Sequence, residues 1–93
     1  MRINYRTADG LADYGFSFEQ TPQGVWRAYI TSQPSYGSRN SSGHSTHRLT
    51  DRGRYYVCWT PEPRTLDDLK QVVKLWADRT QRYLKYGIPI ERA

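Results

Sequence analysis

The residues best able to do chemistry are His44, His47 and Cys58. Two histidines at HxxH spacing with a cysteine further on suggest a metal site, because neutral imidazole and thiolate are good zinc ligands. A structural zinc needs four ligands, commonly with two or more cysteines. Cys58 is the only cysteine, and neither CxxC nor HExxH occurs. The ligand set is incomplete, and no metal is expected. The same three residues suggest a thiolate–imidazole pair. Cys58 lies in the run Tyr55-Tyr56-Val57-Cys58-Trp59, where a free cysteine behaves as a small hydrophobe. We expect a buried, unreactive thiol.

Serines are plentiful, but no G-x-S-x-G elbow places one on a nucleophilic turn. Asp67 and Asp68 are explained by a helix N-terminus. Asp9, Asp51 and Glu62 fall in expected turns. The glycines have neither GxGxxG nor GxxxxGK spacing, so no phosphate cradle is read. A chain of 93 residues also has little room for a deep substrate pocket. We expect no enzyme, no cofactor and no small-molecule substrate.

What remains is a basic and aromatic surface. Fourteen Lys and Arg against nine Asp and Glu give a formal charge of +5, which favours anionic partners. Arg39, Arg48, Arg52 and Arg54 crowd around the stretch 32–53, SQPSYGSRNSSGHSTHRLTDRG. Arg27 and Tyr29 stand on the strand that enters it, and Tyr36 and His47 lie within it. Arginine beside tyrosine or histidine suits phosphate contact and base stacking. The same composition suits an adaptable protein interface. The expected binding residues are therefore Arg27, Tyr29, Tyr36, Arg39, His47, Arg48, Arg52 and Arg54. Nucleic acid is the first expected partner. An acidic protein surface, met by a small inhibitor or adaptor, is the alternative.

The elements that must position these residues follow from periodicity. Ile3 and Tyr5 alternate with polar neighbours, which predicts a strand over about 2–7. Tyr14, Phe16 and Phe18 alternate over 13–20, and Trp26, Ala28 and Ile30 over 25–31. Thr21-Pro22-Gln23-Gly24 joins these two as a turn. Residues 32–53 hold one aliphatic side chain, Leu49, and predict a flexible loop whose arginines reach outward. Residues 54–60 predict a strand with Tyr55, Val57 and Trp59 on one face and Tyr56 and Cys58 on the other. Thr65 and Asp68 form a capping box, and Leu66, Leu69, Val72, Val73, Trp76, Tyr83 and Leu84 follow helical spacing. With Gly87 past the end, they predict a helix over about 66–86.

The expected fold is α+β in a single domain over 1–93. A small antiparallel sheet of three or four strands is expected, with one long C-terminal helix packed across one face. No apolar run approaches membrane-spanning length. The N-terminus lacks the apolar core of a signal peptide, so a cytoplasmic setting is expected. In outline, residues 14–86 are similar to the small sheet-plus-helix DNA-binding domains of some recombinases. That resemblance implies a sheet that enters a groove, although the long loop before Arg54 departs from the compact pattern. A chain this short and basic also resembles the small proteins encoded by phages and mobile elements, many of which inhibit a host enzyme. The partner's identity and the oligomeric state are left open by the sequence.

Overall fold

The computed structural model describes residues 1–90; residues 91–93, counted in the single domain expected from sequence, lie outside them. The chain forms a small α+β domain in which a five-stranded antiparallel sheet is covered on one face by a C-terminal helix. The strands are β1 (Arg2–Arg6), β2 (Asp13–Gln20), β3 (Trp26–Ser32), β4 (Arg48–Asp51) and β5 (Arg54–Val57). Two helices, α1 (Gly43–Thr46) and α2 (Leu66–Tyr86), complete it. The sheet order is β1-β2-β3-β5-β4, and every neighbouring pair is antiparallel.

The expectation of three or four strands is corrected to five. The extra strand, β4, arises inside the segment read as a flexible loop. It returns on β5 through Arg52 and Gly53, both at positive φ (52° and 78°). Two such residues make the mirror-image turn whose twist suits a tight hairpin. The strand expected to reach residue 60 stops at Val57, opposite Arg48. There β4 begins, directly after His47, which is left-handed at φ 53°. Cys58 consequently falls just outside the strand and is half-buried, not buried as expected. Its N–H still donates to the His47 carbonyl at 2.8 Å.

The core lies between the sheet and α2. Tyr14, Phe16 and Phe18 of β2, Ala28 of β3 and Val57 of β5 face Leu69, Val73, Trp76, Ala77, Thr80 and Tyr83. The Thr65 side chain accepts from the Asp68 N–H at 3.0 Å and starts the helix. Gly87, left-handed at φ 71°, ends it by donating to the Tyr83 carbonyl. Trp76 is the centre of the core. Its ring is fully buried and meets Tyr14 and Phe16 edge-on, with centroids 5.7 and 5.9 Å away. Its indole N–H donates to the Thr46 carbonyl at 3.0 Å. Among the described residues, no helix is long and apolar enough to cross a membrane.

Polar clips hold what apolar packing does not. Asp78 of α2 accepts from the Tyr5 hydroxyl and the Ala8 N–H, both at 2.8 Å, and so ties the β1–β2 turn to the helix. Within that turn Asp9 accepts from the Thr7 hydroxyl and the Leu11 N–H and pairs with Lys85. The Thr7 hydrogen bond first, then the Leu11 N–H and Lys85, hold the Asp9 carboxyl down at about 2, against an ordinary 3.8. A carboxylate depressed in the folded state adds stability above its unfolded value and loses it as pH falls through the folded value. The melting temperature is therefore expected to drop between about pH 4 and pH 2. Melts of Asp9→Asn across this window should start lower at neutral pH and fall less steeply. Parallel wild-type and variant curves would contradict this reading.

Candidate binding face

The sequence-predicted residues separate into two groups. Arg27, Tyr29 and Arg54 lie together on the sheet face that α2 leaves uncovered. By register, Glu19, Tyr56, Leu49 and Asp51 share that face. Tyr29 and Tyr56 stand directly opposite each other on β3 and β5, with ring centroids 5.5 Å apart. Arg54 lies over the Tyr29 ring at 3.8 Å, and Arg27 over the Tyr56 ring at 4.4 Å. Arg27 donates to the Tyr29 hydroxyl and to Asp51, and the Tyr29 hydroxyl donates to Asp51 at 3.0 Å. Arg54 grips both carboxylate oxygens of Glu19. That grip, a bidentate charge-assisted contact, is the main cause holding the Glu19 carboxyl below its usual range.

The result is a layer of two guanidinium groups above two tyrosine rings, framed by two acids. Tyr29 is only 6% exposed because the arginines cover it. Both ion pairs are partly open to water, so neither adds much to folding. Their arginines can therefore exchange partners at little cost. Arg2 and Arg6 extend the face along β1, where Arg6 pairs with Asp13. Leu49 stands beside Tyr56 and is 48% exposed. Arg52 is exposed at the β4–β5 turn.

The second group is built into the fold. Arg48 is only 8% exposed. It donates to the Thr46 hydroxyl, the Gln33 side chain and the Ser41 carbonyl, and lies between the rings of Tyr36 and Tyr55. Arg39 donates to the Leu84 and Lys85 carbonyls, the last turn of α2. These carbonyls have no partner within the helix, so Arg39 caps it. Tyr36 packs against Tyr83, whose hydroxyl donates to the Asn40 carbonyl at 2.8 Å. His47 neighbours Trp59 with centroids 6.3 Å apart. The segment 36–48 was expected to be loose for want of aliphatic side chains. It is fastened by polar bonds from Arg39, Arg48, Trp76 and Tyr83, so its arginines turn inward.

His44, His47 and Cys58 line one open cleft of about 770 Å³, with Tyr83, Pro89 and Ile90. Among the described residues no three His, Cys, Asp or Glu side chains gather closely enough to hold a metal ion.

Sequence reasoning missed Tyr56, Glu19 and Asp51 as members of the face. Tyr56 carries a local signal, since it follows Arg54 at the same two-residue step by which Tyr29 follows Arg27. Glu19 and Asp51 join only through strand pairing. No protein-family model matches this chain, and comparison with curated proteins and with solved structures finds no match.

Proposed function

We propose that this protein is a non-enzymatic binding module that takes single-stranded nucleic acid across the uncovered sheet face. One observation carries the reading: Arg27 and Arg54 lie over the paired rings of Tyr56 and Tyr29, on the sheet face away from α2. Arginine planes and aromatic rings are the surfaces on which unstacked bases rest. Phosphates would take over the guanidinium contacts that Asp51 and Glu19 make in the free protein. The net charge of +5 draws an anionic chain toward the molecule.

A second reading, an acidic protein partner met by an inhibitor or adaptor, is favoured by Leu49. An exposed leucine directly opposite Tyr56 adds apolar area to a tyrosine- and arginine-rich face, the composition of a protein interface.

The test is fluorescence anisotropy with random-sequence DNA and RNA of about twelve nucleotides, single-stranded and duplex, at low salt. Single strands should bind, and the Arg27→Ala/Arg54→Ala double variant should weaken binding about 10- to 100-fold while staying folded by circular dichroism. No binding of any strand by the wild type at about 100 μM would overturn the nucleic-acid reading. Tighter binding of duplex would move it to groove recognition.

A further inference from the structure

Helix α2 carries another uncommitted surface, away from the sheet. Asp68, Leu75, Arg82 and Tyr86 recur at intervals of seven, seven and four residues, so they lie along one line of the helix. Leu75 is 40% exposed and Tyr86 is 66% exposed. Beside Leu75, a groove of about 360 Å³ runs between the helix and the chain before it, with Trp59, Pro61, Pro63 and Val72 as its apolar wall and Glu62, Asp68 and Gln71 as its polar one. An exposed leucine beside a mixed groove of this kind is surface that a partner can cover.

The line carries opposite charges at its two ends. Asp68 stands in the first turn of α2, and Arg82, with Arg79 one turn before it, stands toward the C-terminal end. Among the described residues, neither Asp68 nor Arg82 has an ion-pair partner. We infer that this stripe seats a second copy of this chain, antiparallel, about a two-fold axis at Leu75.

The spacing sets the register. Asp68 and Arg82 each lie seven residues from Leu75, so an antiparallel copy centred there brings Asp68 opposite Arg82 of the second copy, and the reverse. Symmetry makes each contact twice. Leu75 enters the Trp59–Pro61–Val72 groove of the other copy. A parallel arrangement would stack acid on acid and base on base. The span from Asp68 to Arg82 is about 21 Å, short enough for a crossing near 20° to keep both ion pairs within side-chain reach. The surface is separate from the uncovered sheet face, which stays open in both copies. The inference therefore stands independently of the proposed function.

Sedimentation of the intact chain over a range up to about 1 mM tests it. The wild type should dimerise. Leu75→Asp should be monomeric, its surface position leaving the fold intact by circular dichroism. Asp68→Arg and Arg82→Asp should each weaken the dimer about tenfold or more, and the two together should restore it to within about threefold. A wild type that remains monomeric overturns the proposal, as does a dimer indifferent to Leu75→Asp. A double variant no better than the single ones overturns it too. So does a monomer whose α2 amide signals shift on adding single-stranded DNA, since the stripe then belongs to nucleic acid.

Discussion

Trp76→Ala is expected to leave the chain unfolded, or nearly so, at room temperature. Trp76 is the largest fully buried side chain. Removing it empties the space between Tyr14, Phe16 and α2, a change that typically costs about 3–5 kcal/mol. It also strips the Thr46 carbonyl of its indole partner, and an orphaned buried acceptor costs roughly 1–3 kcal/mol more. A domain of this size has about 5–10 kcal/mol of stability in all. Trp76→Phe separates the two effects, since it keeps most of the ring and loses only the donor. Chemical denaturation followed by circular dichroism should give a marginal or absent transition for alanine and an intermediate midpoint for phenylalanine. A cooperative wild-type-like transition in Trp76→Ala would mean that α2 does not dock through this ring.

Arg48→Ala is expected to destabilise the fold by about 2–4 kcal/mol, since hydrogen bonds from a charged donor are worth roughly 1.5–3 kcal/mol. The guanidinium serves Thr46, Gln33 and Ser41 together and fills the gap between Tyr36 and Tyr55. Lysine has neither the planar fork nor the reach to do this, so Arg48→Lys should recover little. The result separates a fold-building arginine from a binding one. A binding arginine, once removed, gives a stable protein with weakened affinity. Urea midpoints of both variants should fall together, well below wild type. Stabilities within about 0.5 kcal/mol of wild type would place Arg48 among the surface arginines after all.

These residues show why the fold was readable in parts. Helix α2 is legible because its signals are local: Thr65 caps it, Leu69, Val73 and Trp76 mark one face, and Gly87 stops it. The β2–β3 hairpin is legible because Tyr14, Phe16, Phe18, Trp26, Ala28 and Ile30 alternate cleanly. Strand β4 is not. Its sequence, Arg48-Leu49-Thr50-Asp51, places its one aliphatic residue outward and its arginine inward. Alternation of hydrophobicity is then inverted. The arginine is tolerated inside because hydrogen bonds and two aromatic rings receive it. The turn that returns it, Arg52-Gly53, lacks the Asn or Asp that usually announces such a hairpin.

The candidate face was half legible for the same reason. Arg27, Tyr29 and Arg54 are legible in the sequence because they flank the arginine-rich stretch 32–53. Their partners Glu19, Tyr56 and Asp51 join through pairing between distant strands, which no local pattern encodes. The sequence places Arg39, His47 and Arg48 outward, because a loop with one aliphatic side chain has little apolar surface to dock it. Here the loop is docked by its polar groups.

The central claim is that the uncovered sheet face is the binding surface. Its most direct test is a titration of the isotope-labelled protein with a single-stranded oligonucleotide, followed amide by amide in nitrogen–proton NMR spectra. The signals of Ser17, Arg27, Tyr29, Leu49, Asp51, Arg54 and Tyr56 should shift together and saturate, while Leu69, Val73, Trp76 and the 36–48 segment stay in place. Shifts confined to α2 or to 36–48, or none at all, would contradict it.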